Sequence, residues 1–158
     1  MKTLAFRSRS DREPPYLVLV HNALAPDPEE WSAYVSEFAK LMAAGKGPVH
    51  AFVSTDGGSP DAAQRKQLAD VVNTGEALTH VFTTDAVIRG VVTAFRWLAR
   101  ARAVAHQPKE FPTVCIECGV SPFEVMKDFN DLRRSIPNVQ MVSRIADSMN
   151  PPPRQLNL

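Results

Sequence analysis

The run Ala51-Phe52-Val53-Ser54-Thr55-Asp56-Gly57-Gly58-Ser59-Pro60 is where side chains that could do chemistry are most concentrated. A short apolar segment breaks into hydroxyls, one carboxylate and two glycines. Ser59-Pro60 then reads as the N-cap and first residue of a helix, where a proline's missing N–H costs nothing. Paired glycines let the backbone take positive φ and let another group approach closely. A glycine-rich turn into a helix N-terminus offers free N–H donors and a partial positive charge, so it can receive an anion, a phosphorylated side chain or a partner's carboxylate. Candidate partner-binding or switch residues are therefore Ser54, Thr55, Asp56, Gly57, Gly58, Ser59 and, on the following helix, Arg65. Thr84 and Arg89, at the start of a later helix, form a candidate anion-binding pair.

Other chemistry-bearing residues read as structural. Cys115-Ile116-Glu117-Cys118 is a C-x-x-C without the second ligand pair of a structural zinc site. It also lacks the strand-to-helix setting of a redox motif, so buried or half-buried free thiols are expected and catalysis through them is the weakest option. His21, His50, His80 and His106 fall singly near strand ends with no matched carboxylate or cysteine spacing, so no metal or other cofactor is expected. No G-x-S-x-G, H-E-x-x-H, phosphate-binding loop or dinucleotide fingerprint occurs, and the chain does not read as an enzyme.

The elements that must position these residues follow from periodicity. Thr3–Phe6 alternates like an edge strand, and Arg7–Pro15 reads as a charged loop. Tyr16–Val20, Val49–Val53 and Leu78–Phe82 are continuous apolar runs of the kind buried on both faces of a parallel sheet, and they are expected to be adjacent. Asp27-Pro28-Glu29-Glu30 opens a helix with a capping box, and Trp31, Tyr34, Val35, Phe38 and either Leu41 or Met42 share its inner face. The helix after Pro60 should pack Ala63, Leu68, Val71 and Val72 and turn Gln64, Arg65, Lys66 and Gln67 outward.

Thr83-Thr84-Asp85 caps a long helix over residues 86–100. Val87, Val91, Ala94 and Leu98 line one side, Ile88, Val92, Phe95 and Ala99 extend it, and Arg89, Thr93, Arg96 and Arg100 form a polar stripe. Trp31 and Trp97 read as core or interface anchors. Ala103–Ala105 is a short last strand, and Glu110–Cys118 reads as strand or helical turn, with helix favoured. Ser121-Pro122-Phe123-Glu124 is a second capping box opening a helix that carries Val125, Met126, Phe129 and Leu132 inward. A short strand at Val139–Val142 and a loose turn are expected next. Residues 1–149 form the predicted domain and 150–158 a flexible proline-rich tail.

A formal net charge of +1 gives no bulk attraction to nucleic acid or an anionic membrane, so neither partner is expected. No apolar run approaches the roughly 18–20 residues that span a bilayer, and the charged start lacks the apolar core of a secretory signal. Two cysteines in one segment fit a reducing compartment, so a cytoplasmic protein is expected. The strand and helix order implies an α/β domain with a mainly parallel mixed sheet and an antiparallel first edge. Ligands of such sheets bind beyond the strand C-termini. That edge would gather His21, Asn22, Ser54–Ser59 and Thr83–Asp85.

This pattern resembles the STAS domain family, which includes the anti-sigma factor antagonists, and bacterial relatives of the CRAL-TRIO lipid-transfer fold. The resemblance spans Tyr16–Val120, through the loop at Asp56, the stretch F-T-T-D-A-V-I-R-G-V-V-T-A-F-R-W-L-A-R-A-R-A-V-A-H, and the closing segment from P-K-E-F to C-G-V; the helix from Ser121 is an addition. It implies a non-enzymatic interaction module that binds a protein partner, such as a kinase or regulator, through the Asp56–Arg65 edge, with phosphorylation as a gate. A homodimer is compatible with it. In the family a serine follows the loop aspartate, whereas here Gly57 and Gly58 stand at those places, so the switch transfers only to Ser59. The lipid-transfer side implies instead an apolar ligand lodged between helices and sheet.

Overall fold

The computed structural model describes residues 1–90, 92 and 102–150. Five strands, β1 (Leu4–Arg9), β2 (Tyr16–His21), β3 (Val49–Thr55), β4 (Ala77–Phe82) and β5 (Ala103–His106), lie side by side in chain order. β1 runs antiparallel to β2, and every other neighbouring pair is parallel. Leu19 stands opposite Val53, and Val53 opposite Val81.

Because side chains alternate across a strand, the apolar runs feed two separate cores. Leu17, Leu19, Ala51, Val53 and Val81 meet α1 (Pro28–Ala43) and α2 (Ala62–Val72), together with Ile88 of α3, whose described residues are 86–90 and 92. On the opposite face Tyr16, Val18, Val20, Phe52 and Phe82 meet α4 (Phe111–Glu117), α5 (Pro122–Arg133) and α6 (Met141–Met149). The result is one α/β domain with helices on both faces of a mostly parallel sheet. The three apolar runs are adjacent parallel strands, as their sequence requires. None of the helices, among the described residues, is long and apolar enough to cross a membrane.

Several local expectations are corrected. β1 does not stop at Phe6 but continues to Arg9, because Arg7 and Arg9 are held by the buried carboxylate of Asp128 on α5. Asp27 caps α1 as expected, accepting from the N–H groups of Glu29 and Glu30. Glu30 closes no box; its Oε2 instead accepts from the Thr3 and Leu4 N–H groups and the Thr3 hydroxyl, tying α1 to the sheet edge. The N-cap of α2 is Asp61, not Ser59: Asp61 accepts from the Gln64 N–H and Gln64 Oε1 accepts from the Asp61 N–H, a reciprocal box that Ser59 cannot match.

Gln64 is consequently buried rather than solvent-facing, donating to the Pro26 carbonyl, while Ala63 is exposed. In α3 it is Ile88 that is buried, and Val87 is 73% exposed. The segment after Val139 is helix α6, not strand, with Met141, Val142 and Ile145 buried at helical spacing. The Glu110–Cys118 ambiguity resolves as helix. Expectations for Val91, Thr93, Ala94, Phe95, Arg96, Trp97, Leu98, Ala99, Arg100 and the tail from Pro151 lie outside the described residues.

Candidate functional site

The loop after β3 is stitched to the end of β2. Asp56 N–H donates to the His21 carbonyl (3.1 Å) and Gly58 N–H to the Asn22 carbonyl (3.0 Å). Thr55 Oγ1 donates to the Gly58 carbonyl (3.0 Å) and accepts from Gly57 N–H (3.3 Å). Gly57 takes a φ of 123°, open to glycine alone among common residues. At Gly58 the constraint is space, since an added Cβ would lie 2.1 Å from the Leu24 carbonyl oxygen. Two of the predicted residues thus serve the loop's own geometry.

Asp56 also has an internal task. Its carboxylate accepts from the N–H groups of Gln140 (2.7 Å) and Met141 (2.6 Å), capping α6, whose own N-cap side chain makes no such bond. Asp56→Ala should therefore remove two charge-assisted bonds and cost about 1–2 kcal/mol. Urea unfolding would measure the cost, and faster amide exchange at the start of α6 would locate it; unchanged stability would mean that α6 holds without this cap.

Beneath the loop, between the sheet and α1–α3, lies a pocket of about 90 Å³. Its walls are almost wholly apolar: Leu19, Val53 and Val81 of the sheet face Trp31, Leu68 and Ile88 of the helices. Thr55, Gly58, Ser59 and Arg65, all singled out in the sequence, stand at its loop side. Arg65 donates to the Pro60 carbonyl (2.7 Å), and Trp31 Nε1 donates to the Gln64 carbonyl (3.0 Å), so both side chains are held in place.

Two further lining residues carry polar atoms without a hydrogen-bond partner. His21 is 3% exposed and Tyr34 1%, yet His21 Nε2 and the Tyr34 hydroxyl pair with nothing among the described residues. Burial pushes the His21 imidazole down to about 4, against the pull of the Leu24 backbone, Glu30 and Asp56, so the ring is neutral at ordinary pH. Burial likewise keeps the Tyr34 phenol protonated. A neutral imidazole and a phenol thus belong to the lining of an apolar hollow.

A second, polar hollow lies at the strand C-termini and is lined by Asp56, Thr84, Asp85 and Arg144. Arg144 of α6 donates to Thr84 Oγ1 (3.0 Å), whereas Arg89 donates to the Thr84 carbonyl (3.2 Å) at the start of its own helix. Carboxylates and a guanidinium share the hollow, which Thr84 lines and Arg89 does not. Ser54 lies apart, fully buried, its Oγ without a partner among the described residues.

On the sheet's opposite face the histidines that looked scattered come together. His50, His80 and His106 occupy β3, β4 and β5 and stack in a row beside Phe52 and Phe82. His80 Nδ1 is 3.1 Å from His106 Nε2, and His80 Nε2 is 3.4 Å from His50 Nδ1. Cys118 Sγ, at the end of α4, is 3.3 Å from His80 Nε2. The C-x-x-C does not act as a pair of equals: Cys115 is fully buried in the core and Cys118 half-buried against the histidines. A repeated H-x-F, His50-x-Phe52 and His80-x-Phe82, was the available signal, since period two puts all four side chains on one face.

No family model, no curated protein and no solved structure matches this chain. The likeness to STAS domains rests on residue pattern and element order alone.

Proposed function

We propose that this chain is a non-enzymatic binding module for a small, mainly apolar molecule bearing one hydrogen-bonding group, held between the sheet and helices α1–α3. The observation that carries this reading is the pair of orphaned polar atoms, His21 Nε2 and the Tyr34 hydroxyl, in an otherwise apolar pocket. A buried polar group without a partner costs about 1–3 kcal/mol, so two together are poor design for a purely structural core. A ligand hydroxyl that pairs with either removes part of that cost. The small volume favours a short alkyl chain or small ring, or the end of a longer chain entering past the loop.

The test is Tyr34→Phe, read in two ways. Without ligand the variant should be as stable as the parent or about 1 kcal/mol more stable, because an unpaired hydroxyl is removed. Binding of small aliphatic alcohols such as butanol or cyclopentanol, followed by amide chemical-shift changes, should weaken roughly five- to tenfold, the equivalent of one hydrogen bond. Ala103→Leu, which fills the pocket, should abolish binding. Alcohols that leave amides of the pocket unmoved in the parent would end this reading.

A protein partner at the same edge, in the manner of a STAS module, is the second reading. It is favoured by two exposed apolar side chains beside the loop, Leu24 (47% exposed) and Val87 (73% exposed). Ser59 is partly exposed, so a phosphate could be added there, but it would sit ahead of Asp61 rather than on the helix terminus. Equal partner affinity for the parent and Ser59→Asp would remove the gate from that reading.

A further inference from the structure

We infer that His50, His80 and Cys118 form a three-ligand zinc site on the face of the sheet covered by α4–α6. The three ligand atoms, His50 Nδ1, His80 Nε2 and Cys118 Sγ, all lie within 4.8 Å of one another. Tetrahedral zinc with Zn–N near 2.0–2.1 Å and Zn–S near 2.3 Å separates two nitrogens by about 3.3 Å and a nitrogen from sulfur by about 3.6 Å. The observed separations from His80 Nε2 are 3.4 Å to His50 Nδ1 and 3.3 Å to Cys118 Sγ. Two of the three separations therefore match a tetrahedral ion, and the third, from His50 to Cys118, is within 4.8 Å and has to close toward about 3.6 Å when an ion binds.

The surroundings fit a metal better than a chain of hydrogen bonds. His80 Nε2 faces both a ring nitrogen and a sulfur, and one proton can satisfy only one of those contacts. Its other nitrogen, Nδ1, is 3.1 Å from His106 Nε2. If Nδ1 carries the proton and donates it to His106, Nε2 is left with a lone pair toward the ligand triangle. This is the outer-shell partner that metal-binding histidines ordinarily have, and it makes His106 a positioning residue. The ring stack with Phe52 fixes the His80 plane.

The donor set narrows the ion. Two imidazoles and one thiolate exclude calcium and magnesium, which want oxygen, and suit zinc or copper; zinc is the one proposed, and copper is the competing ion in the titration. Three protein ligands leave a fourth position for water or an incoming group, the arrangement of an open rather than a closed zinc site. His50 and Cys118 are only half-buried, so an ion has a route in. The site lies across the sheet from the apolar pocket, and neither proposal depends on the other.

The experiment uses the full chain, reduced and stripped by a chelator. Zn²⁺ is titrated against a chromophoric competitor, with copper as the competing ion in a parallel titration, and Co²⁺ alone serves as the spectroscopic probe. One ion per chain is expected, with a thiolate-to-cobalt charge-transfer band and the strong visible absorption of a four-coordinate ion. Cys118→Ser should abolish that band and weaken zinc at least about 100-fold, whereas Cys115→Ala should leave both intact. His106→Leu should weaken zinc about 10–100-fold, and His106→Gln, which keeps an acceptor for the His80 N–H, should recover most of that loss. Circular dichroism of each variant separates loss of ligand from loss of fold. Should Cys118→Ser not fold, His50→Ala takes its place, with the same weakening of zinc expected. Absence of the cobalt band in the parent chain, or zinc affinity unchanged in the folded ligand variants, overturns the proposal.

Discussion

Replacing Arg7 and Arg9 together by methionine is expected to cost about 3–5 kcal/mol of folding stability, far more than two edge-strand substitutions ordinarily would. Their partner is the reason. Asp128 of α5 is fully buried, and its two oxygens accept from Arg7 Nη1 (2.8 Å), Arg9 Nε (3.0 Å) and Arg9 Nη2 (2.5 Å). The two arginine side chains keep about a third of their surface in water, 36% and 29%, whereas the Asp128 side chain keeps none. Removing both leaves a charge in the core with nothing to balance it. The penalty belongs to the stranded carboxylate, which gives the prediction an internal control. Adding Asp128→Asn to the double variant should return more than half of the lost stability, because a neutral amide is far cheaper to bury. Denaturant melts of the three proteins decide it; a double variant within about 1 kcal/mol of the parent would show that Asp128 is satisfied without the arginines.

Acid should weaken the metal-free fold well above the carboxylate range. His21 has its pKa lowered from 6.5 to about 4 by burial, with Glu30 and Asp56 only partly offsetting that effect. A base with a lowered folded pKa takes up a proton more readily when unfolded. Its contribution to stability is therefore complete above about pH 6.5 and is lost as pH falls toward 4. At about 1.4 kcal/mol per unit, His21 alone accounts for a loss of about 3 kcal/mol over that window. His80, lowered to about 3 by burial and by neighbouring His106 and His50, acts in the same direction. The measurement is the urea midpoint as a function of pH with chelator present, in the parent and in His21→Gln. The slope of the variant should be visibly shallower between pH 6.5 and 4, and parallel curves would show that His21 is not buried in its neutral form.

Much of the fold was legible because local chemistry and long-range packing agree in it. The apolar runs ending at Val20, Val53 and Phe82 are strand-length, rich in β-branched and aromatic residues and separated by helix patterns, which points to covered strands, and Asp27-Pro28 is a helix start. Reading failed where one residue answered to a distant one. Ser59-Pro60 and Asp61 are both acceptable helix starts, and the choice fell to Gln64, which returns a bond to Asp61 and reaches the Pro26 carbonyl. Met141, Val142 and Ile145 carry a helical period over only a few residues, and the cap that fixes α6 comes from Asp56. The histidine row was hidden for another reason. His50, His80 and His106 stand 30 and 26 residues apart, and only strand register decides whether they meet. The parity that puts them on one face was readable; the alignment of the strands was not.

Every parallel crossover in this sheet steps toward the same edge, so the connecting helices α1 and α2 and the start of α3 fall on one face, and among the described residues the helices on the other face all come from the chain after Gln107. This matters during synthesis. A ribosome finishes all five strands before it makes any of the segment that shelters Tyr16, Val18, Val20, Phe52 and Phe82. The nascent protein thus passes through a stage with one finished core and one bare aromatic wall, the state most open to off-pathway association. Asp128 and the α6 N-terminus, made after all five strands and gripping β1 and the β3 loop, act as the latches that end this exposure.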